Sequence, residues 1–281
     1  MGLTAERKAY LEKLCQKFRR DVIDTLYEIQ TGHPGGSLSV CEILTALYFE
    51  KARVDPADPQ KPDRDRIVLC KGHAAPMLYR VLAEKGFFPV EEMKTLRRLD
   101  TRLQGHPSIK HTPGVDLSTG PLGTGLSAAL GMALGLRLSK FHIKTDARVY
   151  AILGDGDVNE GMTWEACMSA VKFKADNLIA IYDWNRVQLD GKSADIMPQG
   201  DMRAKFEAFG WRCLACDGHD VEALCEALDK ANAYPDGRPV IILADTIKGK
   251  GVSFMEGQNA WHGKAIDEAS YKRAVAEWGG E

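Results

Sequence analysis

The sequence lacks any marked excess of one charge: 37 lysines and arginines stand against 39 aspartates and glutamates over 281 residues, a net charge of −2. Without a broad positive field there is nothing to gather nucleic acid or an anionic membrane, so an anionic ligand must be held by local groups. No apolar run approaches the ~20 residues of a membrane helix. The opening segment, MGLTAERKAYLEKLCQKFRR, is polar and has no apolar stretch of the kind that directs secretion. A cytoplasmic protein with no membrane or nucleic-acid partner is expected. Cysteines are few and odd in number, seven scattered through apolar segments, which fits buried free thiols in a reducing compartment better than a disulfide framework. Cys213 and Cys216 form one isolated C-x-x-C in the strand-like WRCLAC, too little for a zinc or redox centre. No internal repeat or low-complexity linker is visible.

What is present is a hydrophobic content of 44%, enough for a large core. Leu11, Leu14, Phe18, Val22, Leu26 and Ile29 recur at helical spacing and predict a long amphipathic helix from Thr4, ending at Thr31-Gly32. Ser39 and Glu42 have capping-box spacing and predict a second helix starting near Ser39. After the breaker VDPADPQKPDRD, short apolar strands alternate with helices. Strands are expected at 66–70, 148–153, 177–183, 211–216 and 239–245, with helices near Pro76, from Gly161, from Val221 and near Ile266. Strands apolar on both faces and separated by helices predict an α/β fold, a doubly wound and mainly parallel sheet with helices on both faces, here as a single domain over 1–281 with an N-terminal helical segment.

The most informative segment is GDGDVNEG, Gly154 to Gly161, which follows a strand and opens a helix. The next strand ends at Asp183-Trp184-Asn185, so one strand-helix-strand unit puts Asp155 and Asn185 on the same carboxyl edge of a parallel sheet, where such sheets bind ligands. A plain glycine-rich phosphate turn would not carry carboxylates, because a carboxylate about 4 Å from a phosphate group costs roughly 1 to 4 kcal/mol. A bridging cation reverses that sign. Magnesium could take an Asp155 oxygen, the Asn185 amide oxygen and a backbone carbonyl such as that of Val187. Loop capping by Asp155 and Asn185 is the alternative. Gly120 to Gly125, GPLGTG, precedes a helix whose free N–H groups and dipole suit an anion, while Gly131 and Gly135 suit close helix packing.

GDGDVNEG followed by DWNRVQLDG resembles the thiamine diphosphate signature, and the wording is similar to that of transketolases. TGHPGGSLS, KGHAAPMLY, LQGHPS, STGPLGTGLSAALGMALG and WHG agree in order, over nearly the whole chain. The resemblance implies thiamine diphosphate and Mg2+ as cofactors, with Ca2+ or Mn2+ as substitutes. It makes Asp155, Asn185 and Val187 metal ligands, and His73, Gly120, Leu122, Gly154, Asp155, Gly156 and Asn185 the cofactor-binding set. The catalytic set it implies is His33, His73, His106, His262 and Glu160. His33 and His262 are candidates for taking the C3 hydroxyl proton of a ketose. His106 falls to the donor's terminal hydroxyl, and His73 to the diphosphate and the donor carbonyl. Glu160 either favours a helix dipole at a first turn or, as in the family, connects the two active sites of a dimer. The Lys248-Gly249-Lys250-Gly251 loop reads as solvated, with closure over the site as the alternative.

In transketolases the glutamate that protonates the cofactor's aminopyrimidine and the arginines that grip the sugar phosphate lie in later domains. Their absence here predicts a C-terminal transketolase subunit on a separate chain, two copies of each forming a heterotetramer that acts on sugar phosphates in pentose phosphate metabolism. Two other readings compete. One is the alpha subunit of a thiamine-dependent 2-oxoacid dehydrogenase, which needs no histidine set; the other is a non-catalytic cofactor-binding module.

Overall fold

The computed structural model of the chain describes residues 2–139, 146–234 and 236–279. Helix α1 spans Ala5–Ile29, with the Thr4 side chain accepting from the Arg7 N–H and Gln30 ending it in a left-handed conformation. Its stripe Leu11, Leu14, Phe18, Val22 and Leu26 is fully or almost fully buried. The helix expected from near Ser39 starts at Cys41 as α3 (Cys41–Ala46) and runs on as a π-helical turn over Leu47–Lys51, while a short helix not expected from the sequence, α2 (Pro34–Ser39), precedes it. Ser39 ends α2 and caps nothing. Its hydroxyl donates to the Asp183 carboxylate 144 residues away, so a tertiary partner outcompetes the local capping box.

Five strands follow: β1 (Arg66–Leu69), β2 (Val149–Leu153), β3 (Leu178–Trp184), β4 (Arg212–Asp217) and β5 (Val240–Asp245). All pairs are parallel and the order is β1-β2-β3-β5-β4. The connecting helices are α4 (Ala75–Lys85), α5 (Thr124–Leu138), α6 (Gly161–Lys172), α7 (Ser193–Ile196), α8 (Met202–Ala208) and α9 (Val221–Asn232), with α10 (Glu268–Glu277) last. Alternate strand residues feed two cores. Tyr150, Ile152, Ile179, Ile181 and Ile242 pack with α1, α3, α4 and α9. Val149, Ala151, Leu153, Leu178 and Leu243 pack with α5, α6 and α8 on the opposite face. Each such aliphatic side chain removed from water contributes ~1.5–3 kcal/mol. With both faces covered, the carboxyl edge is left to polar chemistry. Among the described residues no helix is long and apolar enough to cross a membrane.

Cys213 and Cys216 occupy one strand three positions apart and join opposite cores, so they cannot chelate together. Close packing by Gly131 and Gly135 is not observed, since a methyl group on either would meet nothing within 4 Å. Gly125 is the residue of α5 pressed against the sheet, where a Cβ would stand 2.6 Å from the Cys70 sulfur. Gly125→Ala is therefore expected to destabilise the chain by ~1–3 kcal/mol through overpacking. Gly131→Ala should stabilise it by ~0.5–1 kcal/mol through helix propensity. Urea unfolding of both variants checks the pair, and equal effects would contradict this placement of α5.

Candidate active site

A cavity of about 170 Å³ lies over the carboxyl edge of the sheet, with Lys71, Asp155, Asn185, Val187, Lys248 and His262 in its wall. Leu153 of β2 is level with Tyr182 of β3, so Asp155 and Asn185 emerge together just beyond the two strands. One Asp155 oxygen accepts from the Ser193 hydroxyl at 2.8 Å and the Tyr182 hydroxyl at 3.2 Å; the other accepts from the Arg186 N–H at 3.0 Å. Arg186 reaches it from a left-handed backbone conformation, φ 62°, a strained geometry for a non-glycine residue. A carboxylate offers about four lone-pair positions, so three donors leave one open. Among the described residues the Asn185 amide oxygen accepts only the Val187 N–H, at 3.1 Å. Burial pushes the Asp155 carboxyl up to about 6, the mark of an anion without a full counter-charge. These oxygens fit a hard divalent cation.

The glycine-rich floor is held by a residue the sequence did not single out. Asp157 accepts from the Gly123 N–H and the Gly154 N–H, both at 2.9 Å, so the anion meeting the Gly120–Gly125 loop is this side chain. Burial raises Asp157 to about 6. Gly156 has room for no Cβ, which would lie 2.6 Å from Leu122, and a Cβ on Gly36 would lie 3.1 Å from the His73 ring. Gly120 lies against the His106 ring.

Two lysines supply positive charge. Lys71 is buried, pairs with Asp183, and donates to the Gly36 carbonyl at 2.9 Å and to Ser39 at 3.3 Å. Lys248 is 2% exposed, which overturns the solvated reading of its loop. Its ammonium donates to the carbonyls of Val187 and Gln188 at 3.3 Å and to Nδ1 of His262 at 2.9 Å. Burial and then the Lys71 charge lower its pKa to about 8. The Gln188 amide nitrogen in the same wall is buried and has no partner among the described residues.

The four histidines expected from separate loops converge. His33 lies 5.5 Å from both His73 and His262 and 6.1 Å from His106, and His73 lies 4.8 Å from His262, ring centre to ring centre. Burial, then Arg97, lowers His33 to about 4; burial, then Lys248, lowers His262 to about 3. His73 and His106 are shifted the same way, chiefly by burial. Arg97 donates to Nδ1 of His33 at 3.2 Å. Guanidinium and ammonium groups only donate, so both His33 and His262 are neutral rings carrying their hydrogen on Nε2. They present donors to a ligand, and taking a proton there requires a change of tautomer.

A profile of the family described as transketolase, thiamine diphosphate binding domain, matches residues 11–281. The chain belongs to the transketolase family. It is 42% identical to a 6-deoxy-6-sulfo-D-fructose transketolase subunit of Clostridium sp. (strain MSTE9) over 97% of this chain and 98% of the relative. It is 39% identical to an apulose-4-phosphate transketolase subunit of Phocaeicola vulgatus, covering 95% and 93% of the two chains. The Campylobacter jejuni transketolase structure superposes with a TM-score of 0.89 at 32% identity over 96% of this chain. The match spans 43% of that transketolase, so the chain corresponds to less than half of the longer members.

The sequence reading missed Lys71, Asp157, Asp183 and Arg97, and placed Lys248 in a loop read as solvated, with closure over the site as the alternative. Lys71 follows β1 by two residues and Lys248 follows β5 by three, positions that the carboxyl-edge argument could have flagged. Glu160 is exposed at the start of α6 and its side chain makes no capping bond. His142 lies outside the described residues. Cys15, Cys41 and Glu42 bring possible ligand atoms within 4.8 Å of one another, but Arg19 and His219 already hold Glu42.

The depressed histidines set a direction for stability. Unfolded imidazoles titrate near 6.5, so between that value and the folded values of about 4 for His33 and about 3 for His262 the unfolded chain binds more protons. Stability therefore falls as pH drops from about 7 towards 4. His33→Gln and His262→Gln are expected to flatten that slope in urea titrations at a series of pH values. An unchanged slope in both variants would refute the neutral, desolvated state of these rings.

Proposed function

We propose that this chain is the N-terminal, cofactor-binding subunit of a two-chain transketolase that moves a two-carbon ketol unit from a ketose phosphate to an aldose phosphate. The observation that carries the reading is the meeting of four neutral imidazoles beside a cavity edged by Asp155, Asn185 and the Val187 carbonyl. A 2-oxoacid decarboxylation has no ketose hydroxyls to bind and gives such a cluster no task. The two subunit-length relatives, named for sulfofructose and apulose-4-phosphate, support a split enzyme that handles sugars.

Charge arithmetic supports a divalent cation with the cofactor. Lys71 and Lys248 give the site two positive charges, against three negative ones from Asp155, Asp157 and Asp183, a balance of −1. A diphosphate alone would be repelled, and a magnesium ion on Asp155, Asn185 and Val187 makes the balance +1. Gly154, Gly156 and Leu122 then form the wall that lets the diphosphate approach, and the Gln188 amide and Lys248 donate towards it. Thiamine diphosphate, when bound, supplies the nucleophilic carbon and electron sink that ketose C2–C3 cleavage needs. His33 and His262 orient substrate hydroxyls through Nε2–H, His106 the terminal hydroxyl, and His73 the region between diphosphate and carbonyl. Proton removal from C3–OH is assigned to His262, whose Lys248 partner can exchange roles with it, while His33 donates through Nε2–H. The pyrimidine-activating glutamate and the sugar-phosphate arginines are assigned to a partner chain in a heterotetramer, with Glu160 linking paired sites.

Two assays test this. The chain mixed with its partner, thiamine diphosphate and Mg2+ is expected to transfer ketol units, and Asp155→Ala should weaken cofactor affinity by at least about a hundredfold, the upper end of what even outer-shell changes cost a metal site. Ketol transfer by the single chain at the rate of the mixture would sink the two-chain reading. Pyruvate decarboxylation without ketol transfer would favour the dehydrogenase alternative.

A further inference from the structure

We propose that Arg19, Glu42 and His219 form a buried positioning clamp that holds Lys248 in the diphosphate cavity, a proposal that rests on reading that cavity as the cofactor site. The three residues come from α1, from α3 and from the turn after β4, and none of them lines the cavity. The Arg19 guanidinium donates to Glu42 at 2.6 Å and, through Nε, to the Lys250 carbonyl at 3.0 Å. Glu42 also accepts from Nδ1 of His219 at 2.9 Å, and Nε2 of His219 accepts the Ile247 N–H at 2.8 Å. Lys248 is thus gripped on both sides, at the amide before it and at the carbonyl two residues after it.

The chemistry of each partner fixes the direction of these bonds. Nε2 of His219 must be bare to accept a backbone N–H, so its hydrogen is on Nδ1 and needs an acceptor, which only an ionised Glu42 provides here. Burial alone would raise Glu42, but Arg19 and His219 outweigh it and hold the carboxyl below its ordinary range. Arg19 and Glu42 cancel in charge, so the clamp adds position to the cavity and no field. Tight backbone fits complete it: a Cβ on Gly251 would meet Arg19 at 2.7 Å, and one on Gly35 would meet Lys248 at 3.0 Å. The Gly249 N–H also donates to the Gly35 carbonyl at 3.0 Å, so loss of the clamp is expected to loosen the segment rather than release it.

The test uses the full chain with Mg2+ and inorganic pyrophosphate, read by calorimetry, together with amide hydrogen exchange over 246–257. His219→Phe is expected to speed exchange in this segment and to weaken pyrophosphate binding about tenfold, as for loss of a hydrogen bond to a charged group. His219→Gln, which can both donate and accept, should restore affinity to within about threefold of the original, a margin below 1 kcal/mol. In a Lys248→Ala background His219→Phe should add less than about twofold, because both act through the same ammonium. Unchanged exchange and affinity in His219→Phe, or fully additive losses in the double variant, would overturn the clamp. Should His219→Phe fail to fold, Arg19→Lys serves instead: it keeps the charge, loses the bond to Lys250, and carries the same expected and overturning results. If Lys248→Ala itself leaves pyrophosphate affinity unchanged, the diphosphate reading fails, while the exchange measurement still judges the clamp.

Discussion

The geometry of the carboxyl edge depends on one buried ion pair, Lys71 with Asp183. Both side chains are removed from water, and each ion costs several kcal/mol to bury. The cost is offset because all three Lys71 protons, and three of the roughly four lone-pair positions of Asp183, are used. Asp183 accepts from Lys71, Ser39 and Thr246, and Lys71 also donates to the Gly36 carbonyl. The pair therefore ties the ends of β1, β3 and β5 to α2. An apolar pair of the same volume would be as stable, but it would not fix where Gly36, and with it the loop of His33, meets the sheet. The pair's value lies in placement.

Around this satisfied pair the remaining charges are incomplete. Among the described residues Asp155, Asp157 and Lys248 form no ion pair, and burial shifts each towards its neutral form. A fold selected for stability alone would pair them with each other. They stand apart in a wall backed by apolar cores on both faces of the sheet, which is the arrangement the proposed cation and diphosphate would draw on.

What could be read from the sequence follows from how local its cause is. Strand boundaries fell within a residue or two because apolar runs and turn residues are neighbours in the chain, and Asp155 and Asn185 could be placed on one edge because parallel crossover fixes which end of a strand they leave from. Lys71 gave no such sign, and Lys248 only a basic loop read as solvated with closure as the alternative: a lysine after a strand is usually solvated, and their burial arises from Asp183, 112 residues from Lys71, and from Val187, 61 residues from Lys248. Ser39 and Glu42 show the reverse error. Their spacing is a sound local signal, yet Glu42 is spent on Arg19 and on His219, 177 residues away. His219 itself stands in no recognisable pattern, since its partners come from elements that sequence spacing cannot bring together.

The histidine cluster follows from the same economy of charge. An imidazolium here would face Lys71, Lys248 and Arg97, so all four rings stay neutral and add no charge to that cationic field. Neutral rings still differ according to what holds Nδ1. A guanidinium never yields its proton, whereas an ammonium can. As long as Arg97 holds His33, that ring is confined to donating through Nε2, while His262, held by Lys248, has a partner able to exchange roles with it. The two residues grouped as proton acceptors by sequence resemblance are therefore inequivalent, and the difference comes from neighbours outside the motif, Arg97 and Lys248.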